Sequence, residues 1–259
     1  MQTGDPLFGG YISFSLTQVS CPSCFGLSIG CEGYAESAFF TPTSNSWLDW
    51  MPSTGSCSST ALPSMPTSPY TDLGDWVYLE TDAGSVPLRQ VSRGSNLNYQ
   101  SNGLTEADFL RSTSYDLSVP DGGSLGPFTI SDVLTTPQGF DTITPTNLLL
   151  VNQASAFSAA ISLSGATIGW APYGGSNSMI IRIDEYAASG TYLRSALCRG
   201  PDNGSLTVPA NAMTGMQVGN QVAVYIMRTN VGEATNPANG SIIEHDVAMS
   251  VVGTGILRP

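Results

Sequence analysis

The chain has 259 residues, enough for two domains that each bury a core without help from a metal. It carries 20 acidic residues against 8 basic ones, a net charge of −12, and every base is an arginine, scattered from Arg89 to Arg258. Nucleic acid and anionic membrane surfaces need clustered cations, so neither is an expected partner.

Charged residues make up 11% of the chain while 41% is hydrophobic, which describes an ordered protein with a neutral, hydroxyl-rich surface rather than a disordered one. That composition points to an extracellular or cell-surface location. The segment before Cys21 has no basic residue and so no signal-peptide n-region; any export signal is expected to have been removed already. LTQVSC resembles a lipoprotein box, but the alternation in YISFSLT argues for a strand. No apolar run reaches the ~18 residues that cross a bilayer, so membrane insertion is not expected.

In chain order the first element is a strand with Ile12, Phe14 and Leu16 on one face and Tyr11, Ser13, Ser15 and Thr17 on the other. CPSCFGLSIGC follows, placing Cys21, Cys24 and Cys31 close together, with Cys57 further on. A zinc site usually pairs two C-x-x-C knuckles, and a redox C-x-x-C usually opens a helix. Here there is one knuckle, one histidine in the whole chain, and no helical period. Disulfides among Cys21, Cys24, Cys31 and Cys57 are therefore expected, and no metal site. Four cysteines allow three pairings; Cys21–Cys31 with Cys24–Cys57 is preferred because it avoids a strained bridge across two residues. Cys198, at the end of an apolar strand, reads as a buried free thiol.

Residues 38–70 form a Pro- and Ser-rich excursion carrying Trp47, Trp50 and Met51, and aromatics on such a loop suggest a contact surface. WVYLETDAGSVPLRQV reads as a hairpin turning near Asp82–Ser85. Trp76 and Tyr78 share one face of its first strand, as core residues or as a carbohydrate-stacking platform. TEADFLRS has one or two helical turns capped by Thr105, and PANAMTGM another. Gly122–Gly126 matches the G-x-S-x-G elbow of serine hydrolases around Ser124, yet Pro127 and FTISDVL supply a strand where the elbow needs a helix. TTPQGFDTITPTN marks a domain boundary.

The remaining candidates are strands: SAAISLSGATIGW, SMIIRIDEY, YLRSALC, SLTVP, QVAVYIMRT and IIEHDVAMSVVG. His245 shares a face with Ile243 and Val247, away from Glu244 and Asp246, as a core or edge histidine does. The loops PDGGS (120–124) and PDNGS (201–205) have the composition of ordinary turns, with calcium as an alternative occupant.

The segments YDLSVPDGGSLGPF, IGWAPYGGSNSMIIRIDEY, LRSALCRGPDNGSLTVPANAM and QVAVYIMRTN resemble paired β-sandwich domains of secreted proteins and lipoproteins of Gram-negative bacteria. The second half is similar in layout to a fibronectin-III or immunoglobulin-like module, with Trp170 near its start and GSLTVPA after the cysteine. No catalytic residues come with this resemblance.

The expected molecule is all-β: two antiparallel β-sandwich domains, 1–136 and 137–259, with few short helical turns. Its expected role is that of a non-catalytic surface or structural protein that self-assembles or binds other proteins, with Trp47, Trp50, Trp76 and Tyr78 as contacts. The alternatives are carbohydrate binding and hydrolysis at Ser124. No cofactor is expected, apart from the calcium alternative.

Overall fold

A computed structural model describes residues 9–19, 31–40, 51–58, 70–93, 96–149, 159–174, 177–236 and 240–259. Among them there is no α-helix. The strands are β1 (Gly9–Val19), β2 (Cys31–Phe40), β3 (Ser56–Ser58), β4 (Trp76–Thr81), β5 (Gly84–Arg93), β6 (Asn96–Leu104), β7 (Ser114–Val119) and β8 (Phe128–Thr135), followed by β9 (Ile143–Thr144), β10 (Ala159–Ser162), β11 (Gly165–Trp170), β12 (Ser178–Tyr186), β13 (Tyr192–Pro201), β14 (Ser205–Pro209), β15 (Gln221–Thr235) and β16 (Ile242–Arg258).

One large sheet runs β3-β13-β12-β15-β16-β1-β2-β6-β5-β4-β7-β8, and a small one runs β14-β11-β9. All described pairs are antiparallel except those that β16 makes with β1 and β10. β15 lies along one side of β16 over residues 242–256. The other side is shared: β1 pairs parallel with residues 242–252 and β10 with residues 255–258. Asn230 Nδ2 on β15 donates to the Thr135 carbonyl at the end of β8, 2.9 Å away, so the far end of the sheet curls back to its middle.

The period-two alternation of the sequence decides which side chains meet inside that curl. Ile12, Phe14 and Leu16 of β1 are fully buried and join Phe39, Val77, Leu79, Leu88, Tyr99, Leu117 and Ile130 in the first hydrophobic cluster. The last strand completes it with Ile243, Val247 and Met249. Phe14 packs on Phe109 and Tyr115, with ring centroids 4.8 and 5.3 Å away, in tilted and edge-on arrangements that suit aromatic quadrupoles. A second cluster collects Trp170, Met179, Ile181, Ile183, Cys198, Val208, Val222, Val224, Ile226 and Leu257 between the other part of the large sheet and β14-β11-β9. β16 also has two glycines where its neighbours come close: a Cβ on Gly253 would stand 2.6 Å from the Leu148 carbonyl, and one on Gly255 would stand 2.8 Å from the Ala159 carbonyl.

Local departures from the sequence reading have local causes. SAAISLSGATIGW is two strands, because a turn at Leu163–Ser164 separates β10 from β11 and sends them to different sheets. TEADFLRS makes a single turn, in which the Phe109 amide donates to the Thr105 carbonyl and the Thr105 hydroxyl accepts from the Ala107 amide. PANAMTGM forms a 3-10 turn over Ala210–Met213. The β4–β5 hairpin turns through Asp82–Ala83, as its sequence predicts.

Candidate functional site

Strand alternation has a second product, the outward face of the large sheet. One cross-strand row links Trp76, Arg89, Gln100, Glu36, Ser13, Asp246 and Val231 from β4 through to β15. Its middle is polar and tightly bonded. Glu36 Oε1 accepts from Asn98 Nδ2 at 2.5 Å and Gln100 Nε2 at 3.1 Å, while Oε2 accepts from the Tyr34 hydroxyl. Burial, followed by the Glu36 charge, pushes the Tyr11 phenol well above its ordinary range. Nearer β15, burial raises the Asp246 carboxyl to about 7, with Arg199 pulling the other way. Asp246 Oδ1 has no hydrogen-bond partner among the described residues.

The β4 end of the row is open to solvent, and it holds two residues singled out from sequence. Trp76 is 39% exposed with the Arg89 guanidinium 6.0 Å from its ring centre. Tyr78, half-buried, lies two residues along, about 7 Å by strand geometry. The core reading of this pair is thus corrected: Val77 and Leu79 take the inward positions, so Trp76 and Tyr78 face out. Pro87 and Ser118 flank Tyr78, and Ser85 and Asp116 flank Glu80. This face offers an aromatic surface, the Arg89 cation and a rim of hydroxyls and carboxylates. Trp47 and Trp50 lie outside the described residues.

The cysteine pairing is also corrected. Cys57 is bonded to Cys198, 141 residues away, not to Cys24, and Cys198 is not a free thiol. Spacing along the chain misled because pairing of β3 with β13 sets these two residues directly opposite each other, Cα atoms 4.0 Å apart. Cys21 and Cys24 lie outside the described residues, as does the side chain of Cys31.

Ser124 sits in a 3-10 turn, Gly123–Leu125, between β7 and β8. His245 is buried over Gly232, whose Cα faces its ring, and burial lowers its pKa. An open pocket lined by Asp72, Asp75 and Asp121 lies beside the PDGGS turn. No three His, Cys, Asp or Glu side chains converge as a metal site among the described residues.

PDNGS is more than a turn. Asp202 is buried, with Oδ1 accepting from Trp170 Nε1 at 2.6 Å and Oδ2 from Arg228 Nε at 2.9 Å and the Tyr173 amide at 3.2 Å. Arg228, 1% exposed, also donates to the carbonyls of Gly139 and Ala171 and lies 4.8 Å from the centre of the Phe140 ring. The sequence reading missed this network; its one signal is a lone arginine in the apolar run QVAVYIMRT.

No protein-family model matches the chain, and no curated protein matches it. A solved structure of the FN1–FN3 domains of chicken CNTN1 aligns with 85% of this chain and 77% of its own, at 12% identity and a TM-score of 0.26. That likeness is too slight to carry an argument about fold or function. No helix among the described residues is long and apolar enough to cross a membrane.

Proposed function

We propose that this protein is a non-catalytic extracellular surface or structural component that self-associates through the outward face of β4, β5 and β7. The observation that carries this reading is Trp76, exposed beside Arg89 with Tyr78 next in line. Tryptophan, tyrosine and arginine dominate the energetics of protein interfaces, and a solvent-facing tryptophan held on a sheet is already ordered for contact. The Cys57–Cys198 bond supports an oxidising compartment. The division at 136/137 into two sandwich domains belongs to the same proposal: the two clusters draw mainly on opposite sides of it, with Ile243, Val247 and Met249 crossing over.

Sedimentation velocity over a hundredfold concentration range tests the reading. Wild type is expected to associate, and Trp76→Ser to weaken association at least tenfold with an unchanged melting temperature. A wild type that stays monomeric throughout, or a variant that associates as tightly, refutes it. A second reading, carbohydrate binding, is favoured by the Trp76–Tyr78 spacing beside the Glu80 and Asp116 carboxylates. It requires glycan-array binding that Trp76→Ser abolishes.

A further inference from the structure

We propose that residues 51–58 form a redox-released cover: reduction of Cys57–Cys198 by a dithiol lifts Met51 and β3 off the sheet and uncovers an apolar floor. The excursion that carries them leaves and rejoins the chain at one place, where Phe40 bridges Tyr70 and the Thr71 amide donates to the Phe39 carbonyl at 2.7 Å. That anchor belongs to the first half of the chain, whereas the tip rests on strands of the second half. Met51 is buried against Ile180 and Leu197, with Met227 and Val231 beside them, on the face of β12, β13 and β15 opposite the second cluster.

Among the described residues, the backbone pairing that holds this tip is short. β3 pairs only three residues with β13, well below the usual five or six, and the Gly55 amide adds one bond to the Arg199 carbonyl at 2.7 Å. The disulfide adds a covalent tie to this short pairing. The two cysteines differ in burial: Cys198 is fully buried, while Cys57 packs half-buried against the second cluster and is preceded by the exposed residues Ser53 to Ser56. A dithiol therefore approaches Cys57. Its first thiolate bonds to Cys57 Sγ as Cys198 leaves as a thiolate and takes a proton. Its second thiol then displaces Cys57, leaving the reagent as a disulfide and the protein with two thiols. Two electrons and two protons pass to the protein. Once the tie is gone, local opening of a three-residue edge strand precedes opening of the core strands.

Hydrogen-exchange mass spectrometry tests this on the full chain, comparing oxidised protein, dithiothreitol-treated protein and the Cys57→Ala/Cys198→Ala double variant, which leaves the other cysteines intact. Exchange at 51–58 and at Leu197 and Arg199 is expected to rise at least tenfold in both altered samples, with β4 and β15 still protected. Two outcomes overturn the proposal. One is unchanged protection at 51–58 in protein whose alkylated mass shows both thiols free. The other is loss of protection everywhere together, which makes the bond a staple of the whole fold. Should the double variant fail to fold, the reduced wild type alone decides between them.

Discussion

At the scale of single residues, the decisive groups are charges buried among apolar strands. Arg228 and Asp202 satisfy each other together with the Trp170 indole and backbone carbonyls from the segment before β9. Removing one partner leaves a buried charge uncompensated, so Arg228→Met is expected to lower unfolding free energy by about 3–5 kcal/mol in urea titrations. Adding Asp202→Asn should recover part of that loss. Asp246 acts with the opposite economy, since its carboxyl titrates near 7 in the folded chain and near 3.8 when unfolded. The folded state holds the proton more tightly, so this group's contribution to stability is complete below pH 3.8, declines as pH rises, and is gone above about 7. Asp246→Asn should therefore match wild type at pH 3.5 and exceed it at pH 8, on the order of 4 kcal/mol at about 1.4 kcal/mol for each pH unit between the two values. His245 has the reverse sign, because burial lowers its pKa and its contribution is lost as pH falls below the unfolded value of 6.5.

At the scale of elements, alternation made most strands legible. Ile12, Phe14 and Leu16 needed only their spacing to be placed inward. The same rule, applied to Trp76 and Tyr78, named their shared face without saying which way it pointed. The direction follows from Val77 and Leu79, which are apolar on the inward side and lack the cation and carboxylates that surround the outward pair. SAAISLSGATIGW reads as continuous only if a change of phase is overlooked: the inward residues are Ala159 and Ile161 in β10 but Ala166, Ile168 and Trp170 in β11. Gly253 was read as part of a strand and nothing more; its need for a bare Cα arises from Leu148, a hundred residues earlier. Gly253→Ala should cost about 1–3 kcal/mol through this clash, measured by thermal unfolding with secondary structure retained.

At the scale of the whole molecule, the β15–β16 hairpin is common property of both hydrophobic clusters. Its Ala234, Ile243 and Val247 serve the first, and its Val222, Val224 and Leu257 the second. The β3–β13 pairing and its disulfide tie the halves together again. Neither cluster can melt without fraying strands that the other needs. Calorimetry is therefore expected to show one transition, with a van't Hoff enthalpy close to the calorimetric one; two resolved peaks would show that the clusters fold separately.

The sequence by itself determined the all-β class, the inward face of the first strand, the hairpin near Asp82–Ser85 and the poverty of cations that argues against polyanion partners. These depend on periodicity and composition, which are local. Tertiary structure alone decided that Cys57 faces Cys198, that the first strand lies parallel to the last, and that Arg228 reaches Asp202. Each of those joins residues from 26 to more than 200 positions apart, and strand pairing at such range is selected by closure of the whole sheet rather than by any nearby residue.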